Sequence, residues 1–228
     1  MEIYKLSDKL VHDAESGGQD NFDAVLKITN LKQAVKNENR VNVFVNDSYA
    51  FSLDIAQVVD LKLKVGLEIT EEQLAEYRKL SEYGKLYQRT LEWALLRPRS
   101  EKETSDYLRK KIYEKKLDGG YIEQILKRLK DKFYVNDEEF ARWYVENRFV
   151  KKGISKKRLE MELLKKGVSR ETIERVMAES GRDEKDEILK IIANKRAKYD
   201  DEKLIQYLCR QGFSYELVRD LVLGYETD

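Results

Sequence analysis

The feature that most constrains this sequence is a phrase that returns at a fixed distance of 45 residues. The two best copies agree at six positions: Leu163, Gly167, Val168, Ser169, Ile173 and Val176 correspond to Leu208, Gly212, Phe213, Ser214, Val218 and Leu221. A looser copy begins at Ser100 and Leu108 and carries extra residues around Gly119 and Gly120. Self-similarity at such a period is typical of stacked helical units. It favours an extended interaction surface over a catalytic pocket.

Residues that can cap helices mark where these helices begin. The predicted caps are Ser100, with Glu103 reaching back to its amide, Asn136 with Glu139, Ser155, Ser169, Asp200 and Ser214. Between the caps and Pro98 the pattern predicts nine helices, near 85–96, 101–116, 121–132, 137–150, 156–166, 170–180, 184–198, 201–211 and 215–223. They form three triplets that resemble the helix-turn-helix architecture. Gly167 and Gly212 occupy turns that need a positive φ.

The N-terminal part of the chain has a different pattern. Residues 16–20 suggest a flexible segment, and a strand is predicted around 25–28. Two β-rich runs, 41–45 and 49–53, are joined by Asn46-Asp47 and predict a hairpin that pairs with the preceding strand or packs on helices. A capping box at Thr70–Gln73 opens a long helical segment to about Leu96, with Gly84 as a candidate bend. The predicted domains are a hairpin extension at 1–70 and helical repeats at 71–134, 135–181 and 182–228.

The sequence offers little for catalysis. Zinc sites need clustered ligands and nucleophilic chemistry needs a nearby base, but the chain has one histidine, His12, and one cysteine, Cys209. We predict a buried, inert thiol at Cys209. Phosphate-binding glycine motifs are absent from the sequence. The expectation is therefore a protein that is not an enzyme, with no metal and no cofactor. Because no apolar run or leader pattern appears, we also expect no membrane association and a cytoplasmic location.

Charge is unevenly distributed along the chain. Residues 1–84 carry net −5, residues 85–178 net +9 and residues 179–228 net −3. The positive part contains an acid-free run, residues 148–158, which we call the basic block. Its cations, with two more at the end of the next helix, are Arg148, Lys151, Lys152, Lys156, Lys157, Arg158, Lys165 and Lys166. Such a cluster could bind phosphates or an acidic protein face, and the alternative is a solvated helix surface. Arg97 and Arg99 flank Pro98, either as exposed binding residues or as caps of preceding carbonyls.

Two other interpretations of the helical units are weaker. The third helices offer Glu171, Glu174, Glu216 and Asp220 beside their arginines, so sequence-specific reading of the DNA major groove is not expected. The aromatic residues Phe133, Tyr134, Phe140, Trp143 and Tyr144 could stack on bases, but their spacing favours a core stripe.

Several motifs follow one another along the chain: Arg97-Pro98-Arg99-Ser100-Glu101 leading to Leu108, then Asn136-Asp137, Phe140-Ala141, Arg148, Gly153 and the phrase from Leu163 to Ile173. Together, over roughly residues 85–223, they resemble the RecX family of bacterial recombination regulators. The resemblance implies a mainly α fold of three tandem three-helix repeats in an elongated, curved body. Residues 1–84, with their hairpin, are additional to the shortest family members.

The resemblance also implies a function without chemistry of its own. It implies binding to the RecA recombinase and to its filament on single-stranded DNA, with restraint of strand exchange and co-protease activity. Family members are also described as binding DNA, which agrees with the basic block. We predict a monomer whose partners are the recombinase filament and, nonspecifically, single- or double-stranded DNA. Two alternatives remain: a nonspecific DNA-binding module that acts on recombination indirectly, and a helical scaffold for another acidic partner.

Overall fold

The computed structural model describes residues 26–35 and 37–224 and divides into two compact units, Met1–Arg89 and Thr90–Asp228. The strands are β1 Leu26–Ala34, β2 Asn37–Val45, β3 Ser48–Asp54 and β4 Glu68–Ile69. The helices are α1 Ile55–Asp60, α2 Glu71–Leu95, α3 Glu101–Lys115, α4 Tyr121–Asp131, α5 Asp137–Asn147, α6 Lys156–Lys165, α7 Arg170–Glu179, α8 Glu184–Lys195, α9 Asp201–Arg210 and α10 Tyr215–Leu223. The predicted flexible start, with His12 and Val25, lies outside the described residues.

The first unit contains an antiparallel sheet with strand order β3-β2-β1-β4. The predicted hairpin is confirmed, because Asn46 and Asp47 join β2 to β3 and have φ of 46° and 64°. Asparagine and aspartate tolerate this left-handed conformation, which matches the twist of a two-residue hairpin. The expected pairing with the preceding strand is also present, between β1 and β2. A core that includes Ile28, Phe51 and Tyr77 stabilises the sheet.

Helix α2 runs without interruption through Gly84, so this glycine does not divide it into two helices. A Cβ at Gly84 would lie 3.1 Å from Nη1 of Arg40. Arg40 is buried, and its guanidinium donates to the Ser52 carbonyl and to the Asp54 carboxylate. Gly84 therefore makes room for a buried arginine rather than bending the helix. The predicted capping box of α2 is confirmed by reciprocal hydrogen bonds between Thr70 and Gln73.

Most of the predicted caps in the second unit are confirmed. Side-chain oxygens accept amide hydrogens at five helix starts: Ser100, Asn136, Ser155, Ser169 and Asp200. Ser214 has the extended backbone of a cap, but its side chain accepts no cap hydrogen bond. The predicted hydrogen bond from the Ser100 amide to the Glu103 carboxylate is wrong. Its carboxylate binds Arg97 and Lys166 instead, because charged donors outcompete a neutral amide.

Each helical triplet has an apolar interior. Second-triplet helices α5–α7 enclose a core that includes Phe140, Leu163 and Ile173, and third-triplet helices α8–α10 enclose one that includes Leu208 and Val218. The repeated phrase supplies these positions. Within α2–α4, the first triplet, the buried apolar side chains include those of Leu108, Ile112, Ile125 and Leu129. The three repeat boundaries proposed from the sequence remain a prediction.

Local geometry confirms some of the predictions made for single residues and contradicts others. Gly167 and Gly212 have φ of 86° and 99°, as their place after a helix end requires. The aromatic stripe is core at Phe140, with Trp143 and Tyr144 packed against it. Phe133 and Tyr134 are not core: they follow α4 in a turn and are 81% and 39% exposed. Cys209 is half-buried at the edge of the third core rather than fully buried.

Candidate functional site

The first and second triplets are joined through the start of α3 and the end of α6, a contact we call the first joint. Ser100 caps α3 and also donates its hydroxyl to the Lys166 carbonyl, with 2.8 Å between oxygens. Lys102 donates to the Lys165 carbonyl at 3.0 Å. A Cβ at Gly167 would lie 2.7 Å from Cβ of Lys102, so only glycine allows this approach. The joint thus satisfies carbonyls that the end of α6 leaves unpaired.

The second and third triplets are joined in the same way, through the start of α6 and the end of α9, at what we call the second joint. Ser155 caps α6 and donates its hydroxyl to the Gln211 carbonyl at 2.5 Å. A Cβ at Gly212 would lie 3.1 Å from Oγ of Ser155 and 3.3 Å from Cβ of Lys157. Each buried cap serine therefore serves two helices. The repeated phrase specifies a docking contact as well as a fold.

The two joints differ in the charges beside the serine. At the first joint the Glu103 carboxylate binds Lys166 at 2.7 Å and Arg97 at 3.0 Å. Partial burial acts to raise the pKa of Glu103, but hydrogen bonds and charge from Arg97 and Lys166 outweigh it and lower the pKa. At the second joint the corresponding side chains are Arg158 and Gln211, and the guanidinium donates to the amide oxygen. The first joint is therefore ion-paired, whereas the second retains a cation.

Both arginines of the basic block bind one carboxylate. Glu162 accepts from Nε of Arg148 at 2.7 Å, from Nε of Arg158 at 3.3 Å and from the Tyr144 hydroxyl at 2.6 Å. Burial acts to raise the pKa of Glu162, but these three hydrogen bonds outweigh it and lower the pKa to about 2. Burial and the bond to Glu162 raise the pKa of Tyr144 to about 12. Arg148 thus ties the end of α5 to α6, and neither arginine has its whole guanidinium free to bind a phosphate.

A buried carboxylate, that of Glu187, holds the loop between α5 and α6 against the third triplet. Glu187 is 3% exposed, accepts from the Ile154 amide at 2.9 Å and pairs with Lys190 at 2.8 Å. Arg182 donates to the Arg148 carbonyl at 2.7 Å. Gly153 has φ of 76°, and a Cβ there would lie 2.3 Å from the Glu187 carbonyl oxygen. The basic block is therefore held in one position by α8.

The lysines of the basic block differ from its arginines. Lys151, Lys152, Lys156 and Lys157 are exposed, and they form no ion pair with any other residue in the described ranges. Lys165 is likewise exposed, and its carbonyl belongs to the first joint. Lys151 and Lys152 lie on the fixed loop and Lys156 and Lys157 in the first turn of α6, where their hydrated ammonium groups are available to an anionic partner. The structure thus brings together four unpaired cations beside the second joint.

The two arginines around Pro98 are half-buried and engaged. Arg97 donates to the Pro98 carbonyl and to Glu103, and its guanidinium lies 4.8 Å from the centre of the Trp143 ring. Arg99 lies 3.9 Å from the centre of the Trp93 ring and donates to the Trp93 carbonyl at 3.4 Å. Burial and the neighbouring Arg97 lower the pKa of Arg99. Of the two sequence-based interpretations, capping of preceding carbonyls describes Arg99.

Sequence reasoning missed the acidic and amide partners of these cations. Glu162 lies four residues after Arg158 on α6, which is a pairing signal on a helix. Glu187 and Gln211 lie far along the chain from the groups they hold, and no local pattern marks them. Within the described ranges, no three histidine, cysteine, aspartate or glutamate side chains cluster as a metal site would require. None of the helices described here is long and apolar enough to cross a bilayer.

Fold and site together define a helical-repeat protein that presents a cationic surface. Its sequence matches the family model "Regulatory protein RecX N-terminal domain" over residues 26–70 and the model "RecX, second three-helix domain" over residues 136–177. The N-terminal sheet is therefore part of a pattern that the family shares.

Curated relatives and a solved structure agree with these matches. The chain is 30% identical to the regulatory protein RecX of Oceanobacillus iheyensis, over 88% of this chain and 77% of that protein. It is 32% identical to the regulatory protein RecX of Bacillus subtilis, over 88% and 78%. A crystal structure of a regulatory protein RecX shares the fold, with a TM-score of 0.62, 23% identity and coverage of 88% of this chain and 100% of that one. This chain belongs to the RecX family of regulatory proteins.

Proposed function

We propose that this protein binds the RecA recombinase and its filament on single-stranded DNA, and that it restrains recombination, strand exchange and co-protease activity. Membership of a family of regulatory proteins supports a regulatory role. The observation that carries the proposal is the set of four exposed, unpaired lysines, two on a loop that α8 holds in place and two in the first turn of α6. A nucleoprotein filament is an anionic partner, and a fixed cationic surface suits it.

In this proposal the two kinds of cation have different tasks. Arg97, Arg148, Arg158 and Lys166 form ion pairs that hold the helices within and between triplets, whereas Lys151, Lys152, Lys156 and Lys157 contact the partner. The protein acts without chemistry of its own, as a monomer, in the cytoplasm where its partner is.

The proposal is tested by recombinase ATPase and strand-exchange assays with and without the full chain. Both rates should fall as the protein is added. If neither changes at saturating protein, the proposal is wrong.

The basic block also favours a second candidate, a nonspecific DNA-binding module that acts on recombination indirectly. A variant with Lys151, Lys152, Lys156 and Lys157 all changed to Glu separates the two functions. The indirect function is correct if two results are found together. The wild type does not bind recombinase in the absence of DNA, and the variant loses DNA binding and inhibition at the same time. If the variant still binds the filament as the wild type does, other protein contacts carry the interaction and the role given to these four lysines is wrong. Changing four lysines elsewhere, Lys116, Lys127, Lys132 and Lys198, removes the same charge and serves as the control.

A further inference from the structure

A cleft of about 400 Å³ lies beside the second joint, between the second and third triplets. This volume is within the range of small-ligand sites. Its walls carry three cations, Lys152, Arg158 and Lys195, together with the Tyr207 ring. None of the residues that line it is acidic. Lys195 and Tyr207 were not among the sequence-based candidates, because they become neighbours of the basic block only when the third triplet docks.

The cleft keeps a net positive charge after the ion pairs of its lining residues are counted. Arg158 shares the single Glu162 carboxylate with Arg148, so two guanidinium groups are opposed by one negative charge. Lys152 is exposed and forms no ion pair within the described residues. The ammonium of Lys195 lies 5.5 Å from the centre of the Tyr207 ring and 5.9 Å from that of Tyr199. These groups would attract an anion that can also lie against an aromatic ring.

Tyr207 is the ring best placed to stack on a ligand. The other aromatic side chain in the cleft, Phe149, already carries the Arg148 guanidinium 3.8 Å from its centre. Tyr207 is half-buried and is supported by Tyr199, whose ring centre is 5.7 Å away at an angle of 40°. A supported ring beside a cation is the arrangement that binds a nucleobase with its phosphate in sequence-tolerant single-strand sites.

The amide side chains in the cleft are already engaged within the protein. Gln211 accepts from Arg158, and the Asn194 amide donates to the carbonyls of Lys190 and Lys151. They hold the basic block in place and do not form a free array for reading base edges. A ligand would therefore be recognised by charge and stacking rather than by base sequence.

We infer that this cleft binds one nucleotide of a single-stranded nucleic acid, with the base on Tyr207 and the adjoining phosphates at Lys152 and Lys195. The inference rests on the DNA contact in the proposed function and deepens it, because a stacked base requires an unpaired strand. Duplex DNA, whose bases are enclosed, should bind by charge alone.

A double-mutant cycle without recombinase tests this site. Fluorescence anisotropy would measure the affinity of the full chain and of its Tyr207→Leu variant for labelled oligothymidylate and for an abasic strand of equal length. We expect Tyr207→Leu to weaken oligothymidylate binding about tenfold and to leave abasic binding unchanged. Tyr207→Phe should restore affinity, and Tyr199→Leu, outside the cleft lining, should have a smaller effect.

Charge variants give a second readout that does not depend on the tyrosine. Lys152→Gln and Lys195→Gln should each lower the slope of log affinity against log salt by about 0.7, and the control Lys198→Gln should not. The inference is overturned if Tyr207→Leu weakens both strands equally, if duplex binds as tightly as the single strand, or if polyglutamate binds with the same dependence on Tyr207. That last result would assign the cleft to an acidic peptide.

The outcomes also separate this inference from the proposed function. If Tyr207→Leu does not weaken oligothymidylate binding selectively, while the wild-type chain still inhibits strand exchange, only the cleft assignment is wrong. If the cycle succeeds while strand exchange is unaffected, the nucleotide site stands and the proposed function fails.

Discussion

The two joints use the same backbone contact and different charges. In both, a buried cap serine donates to the carbonyl at the end of the next triplet's second helix, and a glycine with positive φ lets the chains approach. The first joint is then closed by the carboxylate of Glu103, whereas the second has the neutral Gln211 opposite Arg158. Stacking and electrostatics are thus specified by different residues. The repeat preserves the stacking, while the charges vary between copies.

The corresponding position in the third triplet is Asp200. Its carboxylate caps α9 by accepting from the Lys203 amide, as the serines do. A carboxylate, however, has no hydrogen to donate to a carbonyl. Asp200 can therefore cap its helix as the serines do, but it cannot donate the hydrogen bond that joins two triplets.

Gly153→Ala should have the largest effect on stability. It displaces the loop before Ser155, which belongs to the second joint and not to the first. A methyl group would lie 2.3 Å from the Glu187 carbonyl oxygen at a φ that disfavours alanine. We expect the free energy of unfolding in urea to fall by about 3 kcal/mol. Gly181→Ala, where nothing lies within 4 Å, is the matched control and should be nearly neutral. Equal effects of the two changes would contradict the proposed packing of the loop.

Glu162→Gln should be next, because it leaves Arg148 and Arg158 without their shared carboxylate. The expected loss is about 2 kcal/mol at neutral pH, with Glu160→Gln on the same helix as the exposed control. The folded pKa of Glu162, about 2, lies below the ordinary value, so its contribution is complete above about pH 4.5. It should disappear as the pH falls toward 2. Urea titrations should therefore show a steeper acid loss in the wild type than in the variant.

The shared geometry of the joints is tested by Ser100→Ala and Ser155→Ala. Each change removes a helix cap and a hydrogen bond to the next triplet, for an expected cost of about 2 kcal/mol. Ser169→Ala removes a cap that makes no such joint contact and should cost about 1 kcal/mol. Thermal or urea unfolding would measure all three. If the two joint serines cost no more than Ser169, the joints contribute little to stability.

The difference in charge is tested by Gln211→Glu, which would give the second joint an acid opposite Arg158. The stability should change by only about 1 kcal/mol or less, because the site is partly solvated. Affinity for single-stranded DNA should fall several-fold, as the added carboxylate offsets the cleft's positive charge. Unchanged affinity would mean that the positive charge of the cleft does not contribute to DNA binding.

The sequence predicts those parts of the molecule that depend on neighbouring residues. Five of the six predicted caps in the second unit, the Asn46-Asp47 hairpin and the glycine turns are short-range features, and they are confirmed. The role of Arg158 could not be predicted fully, because Gln211 lies 53 residues away along the chain. Phe133 has the composition of a core residue, yet its turn exposes it. The cleft was missed for the same reason, since two triplets must dock before Lys195 and Tyr207 line one space with Lys152.

In the function we propose, the unpaired lysines bind the partner while the paired arginines stabilise the fold. The most direct measurement compares the variant with Lys151, Lys152, Lys156 and Lys157 changed to Gln against the control with Lys116, Lys127, Lys132 and Lys198 changed to Gln. Unfolding free energy and affinity for the recombinase filament on single-stranded DNA are measured for both. We predict that each variant unfolds within about 0.5 kcal/mol of the wild type and that only the first loses filament affinity, by at least about tenfold. Equal affinity losses in both variants, or a loss explained by unfolding of the first, would contradict the claim.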